Sequence, residues 1–520
     1  MKPLASYLGG RWIHGTGATT LLLDPSTEQP VAEVRGGGHD LAGALDYART
    51  VGGPALRALT FRERGAILRQ LSRAIHAHRD ELIALGMQNG GNTRSDGKFD
   101  VDGASGTLGY YAELGETLGD VRTLCDGDGV QLGRSPRLFG QHVLAPRRGV
   151  ALHVNAFNFP AWGTAEKAAC ALLAGMPVFS KPATATALVA HRITEILAAT
   201  GALPDGAFQL LLGPTDDLLD RLGGQDVLAF TGSGQTGALL RGGKQVVAAN
   251  VRVNVEADSL NSATLAPDVE PGSPTWELFV AEIAKDVLQK TGQKCTATRR
   301  ILVPRSLLEP VREALGERFA AARVGNPVDE AVTMGPLATA KQLTDVRAGL
   351  ARLRAESDVI FGGDGAVATP IGAPDGKGYF FGPVLLENRD PASARATHEH
   401  EVFGPVTTLI PYSGEAADAA ALVRRGEGGL VGSVYGDDRV WLTAAISEMS
   451  ATLGRVYLGS AKVVGQTAGP GTVLPHLVHG GPGRAGGGEE LGGARGLAFY
   501  QQRTALSGDR ALLDAISGKA

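Results

Sequence analysis

Cys295 is the residue whose chemistry the sequence raises first. It lies in the small, polar segment TGQKCTATRR, residues 291–300, between the helical pattern FVAEIAKDVLQK and the strand-like RILV. The other cysteines, Cys125 and Cys170, are far away in sequence, and no pair among the three has metal-ligand spacing. A free cysteine has a pKa near ~8.5, so a nucleophilic role requires surroundings that favour the thiolate. Cys295 is therefore either a nucleophile or a buried small side chain.

Two other segments contain side chains that catalysis at a carbonyl group needs. Glu256 ends the strand-like NVRVNVE, where it is either a general base or a surface carboxylate. The segment VNAFNFPAWG contains Asn155 and Asn158, and a side-chain amide is a good donor to an oxyanion. Asparagines near proline and glycine usually cap turns, so a structural role for both stays open.

A glycine-rich turn indicates phosphate binding. In LAFTGSGQTGALLRG, residues 228–242, a buried strand meets a turn that opens a helix and that contains Gly232, Ser233 and Gly237. The N–H groups and the dipole at a helix N-terminus favour an anion. The segment lacks G-x-G-x-x-G, the usual dinucleotide fingerprint. Lys181 of FSKPAT ends another strand, where open α/β sheets bind ligands, although a solvated lysine is the alternative.

A metal site is not expected. The segment ATHEHEVFGP offers His398, Glu399, His400 and Glu401. If the segment is a strand, consecutive side chains point to opposite faces and at most two of the four converge. No other histidine or cysteine cluster is placed to complete the four ligands that zinc takes.

The elements that must position these residues alternate in type. From about residue 149, the segments GVALHVNA, PVFSKPA, FQLLLG and DVLAFTGS read as strands, separated by the helical stretches 164–175, 185–201 and 216–224. This alternation predicts an α/β fold with a parallel, doubly wound sheet. A second α/β series runs from about 259 to 460. Two stretches lie outside both series, residues 128–147 and GLAFYQQRTAL, and either could pair with the sheet edge of another subunit.

The composition is that of a soluble globular protein of two to four domains. The chain has 520 residues, 43% of them hydrophobic and 20% charged, with a net charge of −4. This balance gives no reason to expect nucleic acid or a membrane surface as a partner. No apolar run of about 18 residues occurs, and cysteine usage is typical of a reducing compartment, so we expect a cytoplasmic protein.

Taken in order, the motifs resemble the aldehyde dehydrogenase superfamily along nearly the whole chain. The motifs that support this resemblance are NAFNFP, FSKPA, FTGSGQTG, NVEADS, GQKCTA, GNPVDEAVTMGPL, GYFFGPVLL, HEHEVFGPV and GGGEELGG. The resemblance implies a modified Rossmann cofactor domain, an α/β catalytic domain and a β-arm that joins subunits into a homodimer or a dimer of dimers. The implied division is cofactor domain 1–127 and 148–258, arm 128–147, catalytic domain 259–462, and C-terminal tunnel loop and oligomerisation strand 463–520.

Position by position, the resemblance implies roles for individual residues. Cys295 matches the nucleophile, Asn158 the oxyanion amide and Glu256 the general base. Glu490 matches a glutamate that returns Glu256 to its basic state. The cofactor residues are Lys181 at the adenosine ribose, Gly232, Ser233 and Gly237 at the phosphate turn, and Glu401 and Phe403 at the nicotinamide ribose.

The position three residues after the strand-end lysine bears on the cofactor. NAD-preferring relatives commonly have a glutamate there, whereas this chain has Thr184. A neutral hydroxyl does not repel a 2′-phosphate, and Lys181 can pair with it. We therefore expect NADP.

The sequence around the base resembles one branch of the superfamily. NVEADS replaces the common glycine pair after the base, as in dehydrogenases of CoA-linked semialdehydes in aerobic aromatic degradation, and the expected substrate is 3,4-dehydroadipyl-CoA semialdehyde of benzoate breakdown. Glu166 is at a tunnel position and either relays protons or forms a surface ion pair. His476, His479 and Arg484 could meet the thioester or CoA phosphates at the tunnel mouth, or lie in a solvent-facing loop.

Three alternatives stay open at this point. A CoA-acylating dehydrogenase would pass the acyl group to CoA rather than to water, although such relatives generally lack the base. A broad medium-chain aldehyde dehydrogenase would use the same residues on other substrates. A catalytically silent relative has no physical need for Cys295, Glu256, Asn158, Lys181 and Glu401 together.

Overall fold

The computed structural model describes residues 2–516, so Met1 and the last four residues of the predicted segment 463–520 lie outside the described part. The chain forms a mixed α/β fold in which parallel strands dominate two large sheets. Among the described residues, no helix is both long and apolar enough to cross a bilayer.

The first large sheet has seven strands and holds most of the predicted site residues. In spatial order its strands are β13 Arg252–Glu256, β12 Val227–Thr231, β9 Ala151–Val154, β10 Val178–Lys181, β11 Phe208–Leu210, β2 Ser6–Leu8 and β3 Arg11–Ile13. The first five are parallel and the last two antiparallel. The strand order reverses between β9 and β12, and open α/β sheets bind ligands at the carboxyl ends of the strands beside such a reversal.

The second large sheet also has seven strands. In spatial order they are β16 Ser357–Phe361, β17 Val384–Asn388, β18 Val406–Tyr412, β15 Arg300–Pro304, β14 Ser262–Leu265, β19 Gly429–Tyr435 and β20 Leu453–Gly459. All pairings are parallel except that of β16 with β17. The strands β14 and β15 are buried throughout, as expected for parallel strands covered on both faces.

Three smaller sheets complete the strand pairing. Their strands are β1 Lys2–Leu4, β4 Thr19–Leu23 and β5 Pro30–Arg35; β21 Val478–Gly481 and β22 Gly488–Leu491; and β6 Leu124–Cys125, β7 Val130–Gln131, β8 Leu138–Pro146 and β23 Gln501–Asp509. The two outlying stretches of the sequence meet in the last of these, where β23 pairs antiparallel with β8 of the same chain. The two stretches therefore form one sheet, and the role of this sheet as an arm between subunits stays a prediction.

The helices pack on both large sheets. They are α1 Leu41–Tyr47, α2 Gly53–Ala58, α3 Phe61–Ala77, α4 Arg79–Gly90, α5 Arg94–Leu118, α6 Trp162–Ala174, α7 Ala187–Ala199, α8 Gly234–Arg241, α9 Lys244–Ala248, α10 Pro274–Leu288, α11 Leu308–Ala320, α12 Ala340–Arg354, α13 Ala396–Glu399, α14 Ala416–Arg424, α15 Arg439–Met449, α16 Ala494–Ala498 and α17 Arg510–Ile516. Capping boxes start α3 at Thr60 and α5 at Thr93. The largest apolar cluster lies where α3, α5 and α6 pack against the first sheet.

Two local predictions differ from the structure. The helix expected over 216–224 is only the short 3-10 turn Leu218–Arg221, because Pro214 and the glycine pair 223–224 leave too few residues for a stable helix. The segment 398–401 is not a strand, since α13 ends at Glu399 and irregular backbone follows. His398 instead contacts the buried Arg300, and Glu401 faces Arg299, so these side chains diverge.

Candidate active site

Cys295 lies in a tightly held loop between α10 and β15. The loop enters through three consecutive residues with positive φ, at Lys290, Thr291 and Gly292. A Cβ at Gly292 would meet the Gly404 carbonyl at 2.2 Å, so glycine is required at this close approach. Asn261 donates its amide to the carbonyl of Cys295 at 2.7 Å. The backbone at Cys295 is therefore held by the close approach at Gly292 and by the Asn261 amide.

Three reactive side chains meet at this loop. The Sγ of Cys295, a carboxylate oxygen of Glu256 and a ring nitrogen of His479 all lie within 4.8 Å of one another. Burial and the Glu256 carboxylate raise the pKa of the Cys295 thiol well above its usual value. These surroundings therefore favour the protonated thiol over the thiolate. A nucleophilic role therefore requires removal of the thiol proton, and the Glu256 carboxylate is the nearby acceptor.

Asn158 faces the same cavity as the thiol. It follows β9 and donates one amide N–H to the carbonyl of Gln293 at 3.0 Å, two residues before Cys295. A side-chain amide has two N–H groups, so the second can serve an oxyanion formed at Cys295. Asn155, by contrast, is buried and donates its amide to the hydroxyl of Ser180 at 3.3 Å.

A narrow cavity of about 40 Å³ leads to Cys295 from the side of α5 and α6. Its lining includes Phe99, Phe159 and Trp162, together with Glu166 and His479. The three rings contact one another edge to face. An apolar neck with a polar inner end suits a small carbonyl compound or the end of a longer chain.

A larger cleft of about 600 Å³ reaches Cys295 and Glu256 from the other side. The predicted cofactor residues that line it are Lys181, Gly232, Ser233, Glu401 and Phe403. Because β10, β12 and β13 are parallel, Lys181 and Glu256 lie at one edge of the sheet. Ser233 caps α8, whose N-terminus opens into the cleft. The volume of this cleft, its position at the carboxyl edge of the sheet and the N–H donors of α8 suit an extended dinucleotide.

Glu401 is fixed at the wall of this cleft by a residue that the sequence analysis did not select. Arg299 approaches its carboxylate at 3.3 Å, and Ser259 donates a backbone N–H to it at 3.1 Å. Burial raises the pKa of Glu401 to about 7 against the opposing charge of Arg299. Arg299 also donates to the carbonyls of Gly292 and Lys294, so it joins the loop that contains Cys295 to Glu401. The feature of the sequence that could have identified Arg299 is its position directly before the buried strand β15.

Lys167 is a second residue that the sequence analysis did not select. Its ammonium group is buried and lies 3.1 Å from Glu166 and 3.3 Å from Glu490. Asn254 of β13 also donates to Glu490, at 2.9 Å. Glu166 is thus in an ion pair with its neighbour and also lines the inner cavity. The feature of the sequence that could have identified Lys167 is a lysine on the otherwise apolar face of α6.

The structure places four expected residues differently from the sequence analysis. His479 is buried beside Glu256, not at the tunnel mouth, because the hairpin β21–β22 turns it inward. Arg484 lines the larger cleft and donates to the carbonyl of Glu399 at 2.7 Å. Gly237 packs against β13, where an added Cβ would meet Val255 Cγ1 at 2.7 Å. Thr184 begins a short 3-10 helix directly after the cleft-lining Ala183.

His476 is exposed at the surface. The sequence left two positions open for it, the tunnel mouth and a solvent-facing loop. His476 stacks on Tyr110 with ring centroids 4.3 Å apart. Both rings line an open vestibule of about 550 Å³, which shares Phe99, Trp162 and Val473 with the narrow cavity. The vestibule is therefore the outer end of the route to Cys295.

This combination of fold and site agrees with the sequence comparisons. The profile of the Aldehyde dehydrogenase family matches residues 12–505, and the chain belongs to that family. One relative, the 3,4-dehydroadipyl-CoA semialdehyde dehydrogenase of Aromatoleum evansii, is 45% identical over 479 residues, covering 92% of this chain and 93% of the relative. Lactaldehyde dehydrogenase of Escherichia coli is 28% identical, covering 82% of this chain and 85% of its own.

Solved structures show the same fold. Betaine aldehyde dehydrogenase of Staphylococcus aureus, in complex with NAD+, superposes with a TM-score of 0.82 at 23% identity over 97% of this chain and 96% of its own. A 3,6-anhydro-L-galactose dehydrogenase with bound NADP gives a TM-score of 0.84 at 21% identity over 98% of this chain and all of its own. Both forms of the nicotinamide cofactor occur among these neighbours.

Proposed function

We propose that this aldehyde dehydrogenase oxidises a CoA-linked semialdehyde to the free acid, with NADP as the preferred cofactor. The single observation that supports the chemistry is the meeting of Cys295 and Glu256 at the junction of two openings, one narrow and one wide enough for a dinucleotide. The 45% identical relative, named for 3,4-dehydroadipyl-CoA semialdehyde, supports the substrate class.

In the proposed mechanism Glu256 accepts the thiol proton of Cys295 as the sulfur attacks the aldehyde carbon, and Glu490 then helps to return Glu256 to its basic form. The second amide N–H of Asn158 and the backbone N–H of Cys295 receive the negative charge on oxygen. The dinucleotide, held by Lys181, Ser233, Glu401 and Phe403, would supply the two-electron acceptor that turns the adduct into a thioester. Glu256 then takes a proton from water, whose attack on the thioester releases the acid and frees Cys295.

The preference for NADP is proposed from two residues. Lys181 lines the cleft, and Thr184 follows where a carboxylate would repel a 2′-phosphate. The proposal is tested by kcat/KM for NADP and NAD at saturating aldehyde. A clear preference for NADP is expected, and comparable values would contradict the proposal.

We also propose that the first large sheet belongs to a cofactor domain, 1–127 and 148–258, and the second to a catalytic domain, 259–462. Residues 128–147 and the C-terminal strand would form the arm between subunits of a homodimer. Their pairing within one chain supports the arm.

The decisive experiment follows reduced dinucleotide with the CoA-linked semialdehyde and with hexanal, and identifies the product. Wild type should favour the CoA-linked aldehyde and form the free acid, and Cys295→Ala should be inactive. Cys125→Ala is the matched control because Cys125 lies in the arm sheet. Turnover by Cys295→Ala would refute the thioester, and a thioester product with added CoA would favour the acylating alternative.

A further inference from the structure

His479 is paired with the carboxylate that the mechanism uses as a base. Its Nε2 lies 3.2 Å from Oε1 of Glu256, and both side chains are only 4% exposed. Neither alternative open from the sequence, the tunnel mouth or a solvent-facing loop, brings His479 into contact with Glu256. Two buried titratable groups in hydrogen-bond contact strongly influence each other's protonation.

The glycine-rich segment before the end of the chain creates this contact. It forms the hairpin β21–β22, in which His479 lies opposite Glu490. The hairpin backbone rests directly on β13, since a Cβ at Gly486 would meet the Val255 carbonyl at 2.1 Å and one at Gly488 would meet Asn254 at 2.4 Å. Its glycines are thus explained by close packing against the strand that ends at Glu256.

We propose that His479 is a positioning residue that holds the Glu256 carboxylate beside the Cys295 thiol and keeps it ionised in the buried site. The proposal rests on the roles assigned above to Cys295 and Glu256. A buried carboxylate without a cationic or hydrogen-bonding partner takes up a proton and is then useless as a base. His479 supplies both the donor and, when protonated, the charge.

The charges around the pair are consistent with this role. Burial alone would raise the pKa of Glu256, but His479, with help from Lys167 and the Cys295 thiol, holds it at about 2. Burial lowers the pKa of His479, yet the Glu256 carboxylate outweighs burial and the net shift is upward.

Several charged groups face His479 from the surrounding elements. They are Glu256 of β13, Cys295 of its loop, Glu166 and Lys167 of α6, Arg455 of β20 and Glu490 across the hairpin. The carboxylates favour the protonated ring and Arg455 opposes it. At acidic to neutral pH the pair is therefore imidazolium and carboxylate, and above the raised pKa of His479 it is neutral imidazole and carboxylate.

The sign of the pH effect follows from these two states. In His479→Gln a donor remains but the charge is lost, and in His479→Phe both are lost. The pKa of Glu256 then rises, so the carboxylate is protonated at mildly acidic pH, where wild type keeps it ionised. Thioester hydrolysis should fall about tenfold or more near pH 6 and approach the wild-type rate as the pH rises above the raised pKa of His479, where the ring is uncharged in wild type too.

The test measures burst and steady-state formation of reduced dinucleotide with hexanal, from about pH 6 to about pH 9. Glu256→Gln and the double variant Glu256→Gln/His479→Gln complete a cycle, in which the second substitution should add no further loss. A defect of equal size at every pH, or an additive loss in the cycle, would overturn the proposal. Thermal unfolding shows whether each variant is folded. Turnover by Cys295→Ala would instead refute the proposed function, so the two failures are distinguishable.

Discussion

The carboxylate of Asp258 accepts a hydrogen bond from the backbone N–H of Gly234, 2.9 Å away, at the N-terminus of α8. This helix end lies in the larger cleft, where we propose that a cofactor phosphate binds. Asp258 also lies near Glu401, whose pKa it helps to raise. A fixed negative charge thus occupies the position at which a helix N-terminus attracts an anion.

Replacing Asp258 with asparagine should therefore strengthen cofactor binding. The side-chain oxygen of asparagine can still accept the hydrogen bond from the Gly234 N–H. The substitution removes the negative charge, which would repel a cofactor phosphate. We expect an about two- to fivefold lower Kd for NADP, the scale of one charge at a helix end. Fluorescence titration measures it, with Asp364→Asn as a control on the surface, since Asp364 is exposed and accepts a hydrogen bond from the backbone N–H of Ala366 in its own loop. Weaker binding would mean that Asp258 contacts the cofactor instead.

Glu490→Gln should slow thioester hydrolysis more than formation of the thioester. Burial raises the pKa of Glu490 to about 7 against the charge of Lys167, while Glu166 and Glu256 raise it further. Below this pKa the wild-type side chain is neutral and resembles glutamine, so the two enzymes should converge near pH 6. Above it they should diverge, by about tenfold near pH 8. Burst and steady-state rates measure both steps, and equal slowing of both would contradict the role of Glu490 in proton transfer.

Arg299→Leu should destabilise the protein and make the loop that contains Cys295 more mobile. The substitution leaves the Glu401 carboxylate and three backbone carbonyls without the guanidinium. Removing one partner of a buried ion pair costs ~3–5 kcal/mol of unfolding free energy. Chemical denaturation measures the loss, and Arg395→Leu, at a solvent-exposed ion pair, should cost less than about 1 kcal/mol. A loss as small as the control's would show that the loop is held by other contacts.

Disrupting the apolar surface of the arm should dissociate subunits. Leu138 of β8 is 47% exposed and Leu512 of α17 is 59% exposed, although leucines normally cluster inside. The double variant Leu138→Glu/Leu512→Glu should elute as a single chain, and the wild type as at least two. Light scattering after gel filtration measures the mass, with Val440→Glu, 81% exposed on α15, as the control. A wild-type monomer would refute the arm's proposed role.

Much of the first sheet was predictable from local pattern. The strands β9, β10, β11 and β12 and the helices α6 and α7 lie where apolar runs and helical periodicity indicated them. The helix expected over 216–224 failed because a few residues between helix breakers cannot recover the cost of nucleation. The strand considered for 398–401 does not form, because strand-like composition does not specify strand pairing.

The site residues divide in the same way. Glu256 and Lys181 were identifiable because a polar residue at the end of a buried strand, in an α/β pattern, lies at the ligand-binding edge. Lys167 and Arg299 were not selected, because each is one basic residue among many until its buried partner is known. The buried partner of Lys167 is Glu490, and the buried partner of Arg299 is Glu401. Each partner is far from its basic residue in the sequence.

The sequence by itself determined the superfamily, the fold class and the alternation of strands and helices in the first large sheet, since these depend on local periodicity and ordered motifs. Only the tertiary structure decided which charged groups neutralise one another. The pairing of His479 with Glu256 joins residues 223 positions apart through a hairpin packed on a strand. Such a contact depends on how distant backbones approach one another in a site with little water, and no local pattern contains that information.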